Sequence, residues 1–520
     1  MRPQDHRPPA RPRGSRHRAF APLVLATALA ACTTVGPEFA KPETQASAQW
    51  SAADEALLDK AKAVDGAWWR SFNDPILNQL IEMAWQQNLS LRAAGLRIAE
   101  SRAQLALAVG QQYPQVQALF GQATAVGLSR EAPNTANFDR HFTEFQAGFD
   151  MAWEIDFWGR YKNLARSEEA RLVTSMADYD TALVTLSAEV ARSYALIRTY
   201  EALIALAQRN VRLQEEGFRI ADVRYRNGAT SNLDVQQART LLESTRVSIP
   251  RYQLSLSLTQ NALSTLIGQP VGQVQALLGT SARIPVAPAS VGISMPAELL
   301  RRRPDIRGAE YAALAQSARV GLATADLYPR ISISGTIGYL STGGGLDINS
   351  GFYSIGPRIY LPILNYDRTK NSIRVEDARL QQSLVNYEAV VLRAQQEAED
   401  GVTGYVRSHQ IAAFAQNSAA SALRSSELAF IQYREGAVDF QRVLDSMRAL
   451  LQEETTLAQA QSDIATNLIS LYKALGGGWE PHQNQPSIPE KTRIEMEKRT
   501  NWGDLLSTSP APAPVTTQSR

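Results

Sequence analysis

Between Glu144 and Phe157 every second position is apolar. Phe145, Ala147, Phe149, Met151, Trp153, Ile155 and Phe157 fall on one side, while the other carries Glu144, Asp150, Glu154 and Asp156. A period of two predicts a strand with one apolar and one wet face. Three more strands show the same period. Val116, Ala118, Phe120, Val126 and Leu128 share one face of the preceding segment; Ile331, Ile333, Ile337 and Tyr339 alternate with Ser332, Ser334, Thr336 and Gly338. In the last, Tyr353, Ile355, Ile359, Leu361 and Ile363 oppose Ser354, Gly356 and Arg358. Apolar outside and wet inside is the pattern of membrane-spanning strands, and Glu144, Asp150, Glu154, Asp156 and Arg358 are the residues expected to face the water. Four strands cannot close a barrel, so several copies are implied.

Elsewhere the period lengthens. Leu172, Met176, Tyr179, Leu183, Leu186, Val190, Ser193, Ile197, Tyr200, Ile204, Ala207 and Val211 step by four and three, a 3.5-residue repeat that predicts coiled-coil packing. Val443, Met447, Leu450, Leu457, Ile464, Leu468, Leu471 and Leu475 form a second seam. No proline interrupts Tyr161–Arg226, so one helix of roughly 100 Å is expected there, at about 1.5 Å per residue. Asn227-Gly228 and Glu435-Gly436 supply helix stops, and the chain returns through Ser231–Leu266 and Phe440–Leu475.

The chain also repeats itself. Tyr113-Pro114 recurs as Tyr328-Pro329, an offset of 215. Further on the offset becomes 208: Arg160, Lys162 and Asn163 match Arg368, Lys370 and Asn371, and Tyr225-Arg226-Asn227-Gly228-Ala229 matches Tyr433-Arg434-Glu435-Gly436-Ala437. The first half thus holds seven extra residues, expected in a loop near Arg130–His141 where added length costs little. Each half reads as helix, two strands, long helix, turn, helix.

Charge and termini sharpen this picture. The first 32 residues hold six Arg and one Asp; the remainder holds 47 basic and 50 acidic residues, which gives no electrostatic reason to bind nucleic acid. Arg-rich Met1–Arg18 precedes the apolar run Ala19–Ala31, too short to span a bilayer and typical of an export signal. Leu29-Ala30-Ala31-Cys32 resembles a lipobox, which makes Cys32 the acylated first residue of the mature chain. Thr33, in place of the Asp associated with inner-membrane retention, favours outer-membrane delivery. Cys32 is the only cysteine, so internal disulfides and thiolate metal sites are excluded. His141, His409 and His482 are scattered, and no nucleophile elbow or phosphate loop occurs. Neither a catalytic site nor a cofactor or metal is expected, and the seven Met give no sign of a dedicated copper path.

The Cys-x-x-Val-Gly-Pro start at Cys32–Pro37, the two Tyr-Pro strand entries, the Tyr-Arg-x-Gly turns and the ending Leu471–Trp479 together resemble the TolC/OprM-type outer-membrane factors. The ending is especially similar to the NodT-like lipoprotein branch of resistance-nodulation-division efflux systems. The resemblance covers roughly Cys32 to Trp479. It implies a mixed α/β membrane protein: a homotrimer with a twelve-stranded β-barrel, four strands per chain, continuous with a long periplasmic α-helical barrel. The corresponding division is a signal peptide at 1–31, an anchor and equatorial segment at 32–74, and a first repeat at 75–268. An equatorial linker follows at 269–295, a second repeat at 296–478 and a flexible tail at 479–520.

The resemblance further implies a passive exit duct for drugs or other small solutes, joined by a periplasmic adaptor to an inner-membrane transporter. Asp445 stands where that family has an aspartate constriction, with Arg448 one turn beyond. Gln441 replaces a residue that is often Leu, so an apolar ring would need Phe440, Val443 or Leu444 instead. Tyr225, Arg226, Gly228, Tyr433, Arg434 and Gly436 correspond to adaptor-docking turns. Two other readings stay open: the exit duct of a type I protein secretion system, and a periplasmic coiled-coil lipoprotein without a pore.

Overall fold

The computed structural model describes residues 34–43, 57–59, 65–129, 131, 139–279, 283–288, 290–293, 302–342, 345, 348–364 and 366–507. The expected export signal and Cys32 lie outside them, as do most of the loop assigned the seven extra residues and Gly343-Gly344. The chain divides into two compact units. One draws on Met1–Ala40, Gln104–Ala170 and Ala313–Gln382; the other draws on Lys41–Ala103, Arg171–Ala312 and Ser383–Arg520.

The first unit is built on an antiparallel sheet of four strands: β1 Val116–Gly127, β2 His141–Ile155, β3 Arg330–Thr342 and β4 Gly351–Tyr360, in that spatial order. Leu361 and Ile363 fall beyond the end of β4, and Asp156 beyond the end of β2. Directly opposed residues share a face, so the register sorts the side chains. Phe149 opposes Leu119 and Ile337, and Ile337 opposes Tyr353, on the odd-numbered face. Asp150 opposes Ala118 and Thr336 on the even-numbered face.

This register corrects the reading of β1. Val116, Ala118, Phe120 and Val126 oppose Ala152, Asp150, Gly148 and Phe142, so they lie on the acid-bearing face and not with the apolar residues of β2. Alternation within one strand fixes that two faces exist; only pairing decides which face is which.

Residues after Cys32 are tied to this unit. The Val35 amide donates to the Trp158 carbonyl at 3.1 Å, and Asn163 Nδ2 donates to the Val35 carbonyl at 2.9 Å. Gly36 has φ +126° and lies against the Gly321 backbone, where a β-carbon would collide. The glycine of the Val-Gly-Pro start is therefore a steric requirement. Nearby, Trp158 stacks on Tyr328 at 4.6 Å and donates to the Pro329 carbonyl.

The second unit consists mainly of helices. The chain forms α1 Pro75–Gln87, α2 Leu89–Gly110, α3 Arg160–Arg226, α4 Asn232–Leu266, α5 Val274–Leu278, α6 Pro304–Ala325, α7 Tyr366–Arg434, α8 Phe440–Ala474 and α9 Glu490–Arg499. The long helices α3 and α7 contain 67 and 69 residues. The buried stripe of α3 is wider than its 3.5-residue seam: Ala191, Tyr194, Ala195 and Arg198 are buried outside the stepped positions. A helix packed by more than one neighbour needs more than a two-position seam.

All four helices of the two hairpins stop in one way. Gly228, Gly268, Gly436 and Gly476 have φ between +68° and +77°. At Gly228 the amide donates to the Tyr225 carbonyl and the next amide to the Arg224 carbonyl; at Gly436 the acceptors are Tyr433 and Gln432. These are Schellman motifs, which need a left-handed residue. They recur at the 208-residue offset of the sequence repeat.

An aromatic cluster closes the end of the second hairpin. Trp68 stacks on Tyr472 at 5.3 Å and donates to the Gly477 carbonyl. Trp69 meets Trp68 and Trp85 edge-on, and His482 lies 5.4 Å from Trp85. Burial lowers the pKa of His482. The segments that flank the first repeat also join: Leu58–Asp59 pairs in parallel with Val291–Gly292.

The flexible tail expected from residue 479 is a second correction. Ile488, Met496 and Leu506 are buried together with Ala99 of α2, and α9 spans Glu490–Arg499. Arg92 donates to Thr492 Oγ1 and Arg102 to the Leu505 carbonyl. Three apolar residues dispersed in a polar, Pro-bearing stretch give little periodic signal, but each finds the same apolar patch.

Candidate functional site

Two regions gather the side chains singled out by sequence. On the sheet, the even-numbered face holds Glu144 opposite Thr124 and Thr342, Asp150 opposite Thr336, and Glu154 opposite Ser332, which in turn opposes Arg358. Thr336 Oγ1 donates to the Asp150 carboxylate at 2.6 Å. Gln122 donates to Gln146 across the strands at 2.9 Å. Asp156 is not part of this array: past the strand end, it accepts the Lys162 amide at 2.8 Å near the start of α3. The opposite face exposes Leu119, Phe149, Ile337, Tyr353, Ile355 and Ile359 to the surroundings. Among the described residues neither β1 nor β4 has a strand on its outer edge.

The second region is the tip formed by the turns after α3 and α7. Its core is Ala221, Val235, Ala238, Leu241, Tyr433, Phe440, Val443, Leu444 and Met447. Tyr433 is 2% exposed and lies 5.1 Å from Phe440. It is therefore an internal packing residue, unlike its repeat counterpart Tyr225, which is 43% exposed. Phe440, Val443 and Leu444 are likewise buried between helices, so none of them is free to replace the apolar ring that Gln441 lacks. Gly228 and Gly436 have open space where a β-carbon would stand; their role is conformational. Arg226 pairs with Asp222 at 2.7 Å on the surface, and Arg434 is exposed.

Gln441, Asp445 and Arg448 meet on one exposed face of α8. Gln441 Nε2 donates to Asp445 Oδ1 at 3.0 Å, and Arg448 lies 3.5 Å from the same oxygen. Within one chain this is a solvated i, i+3 and i, i+4 trio, whose pairing energy is small.

Sequence reasoning passed over a clasp between the hairpins. Arg224 Nη1 donates to the Tyr433 carbonyl at 2.6 Å, and the guanidinium lies 4.5 Å from the Tyr433 ring centre. Thr230 donates to Asp234 beside it. The repeat itself carried a signal. At the 208-residue offset Arg224, Thr230 and Asp234 become Gln432, Val438 and Arg442, so only the first hairpin has the polar clasp. Farther along α3, Arg307 pairs with Asp180 and stacks at 5.2 Å over Trp479, while Arg302 holds Glu480 at 2.7 Å. Burial pushes the Asp180 carboxyl up to about 6 in spite of Arg307.

No helix among the described residues is long and apolar enough to cross a membrane. No group of three or more His, Cys, Asp or Glu among them could hold a metal.

Comparison with known proteins fits this geometry. The family model described as outer membrane efflux protein matches residues 80–269 and 295–477. The cation efflux system protein CusC of Escherichia coli O6:H1 is 30% identical over 464 residues, which are 88% of this chain and 98% of that protein. Nodulation protein T of Rhizobium leguminosarum bv. trifolii is 28% identical over 455 residues, 86% of this chain and 95% of its own. The solved outer-membrane channel OprN superposes with a TM-score of 0.81 at 30% identity, covering 86% of this chain and all of that one. Members of this group are channel proteins rather than enzymes. With both matched stretches spanning the two repeats, the chain belongs to the outer membrane efflux protein family.

Proposed function

We propose that three copies of this chain close a twelve-stranded barrel through the outer edges of β1 and β4. The barrel and the helical hairpins then form one passive duct for small solutes across the outer membrane. A periplasmic adaptor joins it to an inner-membrane resistance-nodulation-division transporter. The observation that carries this reading is the sheet. One face is apolar and unburied, the other bears carboxylates and hydroxyls, and among the described residues no strand pairs with either edge. In lipid an open edge leaves backbone groups without partners, so the sheet requires further copies. Similarity to CusC, whose name assigns it to cation efflux, and to the channel OprN supports the same reading.

The described residues that follow Cys32 in the sequence support its acylation. Thr34 to Pro37 run against the strand–helix junction next to the stacked Trp158 and Tyr328, and paired aromatics are favoured at the membrane–water interface. At the tips, three copies of Asp445 with Gln441 and Arg448 act as a periplasmic constriction. The exposed Tyr225, Arg226 and Arg434, with the turns at Gly228 and Gly436, form the surface offered to the adaptor. Native mass measurement of the solubilised protein tests the assembly, with a trimer expected; a stable conducting monomer would overturn it. Planar-bilayer recording tests the constriction. Asp445→Ala is expected to raise conductance and reduce cation preference more than Asp150→Ala, and an unchanged channel removes the gate from this trio.

A further inference from the structure

Of the rows that cross all four strands on the even-numbered face, one carries no polar side chain. Phe120 opposes Gly148, Gly148 opposes Gly338, and Gly338 opposes Phe352, so the row crosses all four strands. The row on one side holds Ala118, Asp150, Thr336 and Ser354; on the other side stand Gln122, Gln146 and Leu340.

The two glycines are obligatory. A β-carbon at Gly148 would stand 2.6 Å from the Ile337 carbonyl oxygen, and one at Gly338 would stand 2.5 Å from that of Ala147. Close approach of β2 and β3 therefore keeps the middle of the row bare. The Phe120 ring lies over this bare backbone, its Cζ 3.0 Å from the β-carbon position of Gly148. Glycine covered by a neighbouring aromatic is a known means of stabilising a sheet. Here it also leaves a stretch without polar side chains between two phenyl rings on the face that bears the carboxylates.

Charge around the row has one sign. Asp150 is one row away and Glu144 two rows away, whereas the nearest strand-face cation, Arg358, is three rows away opposite Ser332. Phenyl faces attract cations and also pack against other aromatic rings, and carboxylates beside them favour a cation with an aromatic body over a neutral or anionic ligand.

We propose that the row Phe120–Gly148–Gly338–Phe352 is a binding site on the wet face of the sheet for aromatic cations. The inference rests on the duct reading, under which three copies of the row face one lumen. The duct then has a solute preference of its own, added to whatever a transporter selects. Phe120 and Phe352 contact the aromatic body by their ring faces, and Asp150 and Glu144 attract the charge.

The test compares two monovalent cations, tetraphenylphosphonium and tetraethylammonium, as blockers of single-channel current. Wild type is expected to be half-blocked by tetraphenylphosphonium at a concentration roughly tenfold below that for tetraethylammonium. In F120L/F352L, which keeps apolar volume but removes the rings, the tetraphenylphosphonium value should rise about tenfold, clearly more than the value for tetraethylammonium, which loses cation–π attraction but no ring-on-ring contact. Equal block by both ions in wild type, or unchanged block in the variant, overturns the site while leaving the duct intact. A trimer that conducts nothing either as wild type or as Asp445→Ala overturns the duct. In that case equilibrium dialysis of tetraphenylphosphonium against the solubilised protein still decides: binding lost in F120L/F352L supports the row, and equal binding refutes it. If the double variant fails to assemble, F120L alone serves in both measurements, with the same outcomes.

Discussion

Arg224→Ala isolates the clasp between the two hairpin tips. The change removes a 2.6 Å hydrogen bond from the guanidinium to the Tyr433 carbonyl and a cation–π contact of 4.5 Å. A hydrogen bond involving a charged group contributes about 1.5–3 kcal/mol, and a partly exposed cation–π contact about 0.5–1 kcal/mol. Because Arg224 is only half-buried, screening lowers the total, and about 2 kcal/mol is a fair expectation. That corresponds to roughly thirty-fold more frequent opening of the tip. Hydrogen exchange of amides in residues 224–241 and 430–447 reads this opening directly, without reference to conduction. Arg226→Ala is the control: its pair with Asp222 is exposed and should contribute no more than about 0.5 kcal/mol. Arg224→Lys should fall between them, since lysine keeps the charge but not the planar stack. Equal exchange in Arg224→Ala and Arg226→Ala would refute the clasp.

Gly95→Ala should release the C-terminal segment, because a β-carbon there meets the Ser487 carbonyl; faster tryptic cleavage at Lys491, Arg493, Lys498 or Arg499 is the readout, and unchanged protection would mean that the segment shifts without loss. Asp180 predicts a pH effect of definite sign. Its pKa is raised to about 6 from an ordinary 3.8, so the folded chain holds an extra proton between those values. Stability from this group is complete below pH about 4 and lost as pH rises through about 6, by on the order of 3 kcal/mol. Thermal melts should show the stability of wild type relative to Asp180→Asn falling over that window, and parallel curves would sink the assignment. Cys32→Ser should abolish incorporation of radiolabelled palmitate, with undiminished labelling refuting the anchor.

Much of this molecule was legible in one dimension because its two periodicities are long and clean. The alternation from Glu144 to Ile155 specified a two-faced strand, and the proline-free run to Arg226 specified a helix now seen to span Arg160–Arg226. The Tyr-Arg-x-Gly turns were readable because a left-handed helix stop strongly favours glycine. Such features depend on residues near one another in the chain.

Tertiary structure decided whatever depends on which segments meet. Val116, Ala118 and Phe120 read as the apolar face of their strand, yet pairing sets them beside Asp150 and Gly148. Tyr225 and Tyr433 occupy equivalent places in the repeat, yet one is exposed and the other is enclosed by Arg224 and Phe440. The tail after Trp479 has no strong period, yet Ile488, Met496 and Leu506 each reach the same patch near Ala99. Local pattern fixes an element's type and faces through backbone geometry, which every residue carries with it. The partner of a face is set by contacts between distant residues, and a single sequence does not display those contacts.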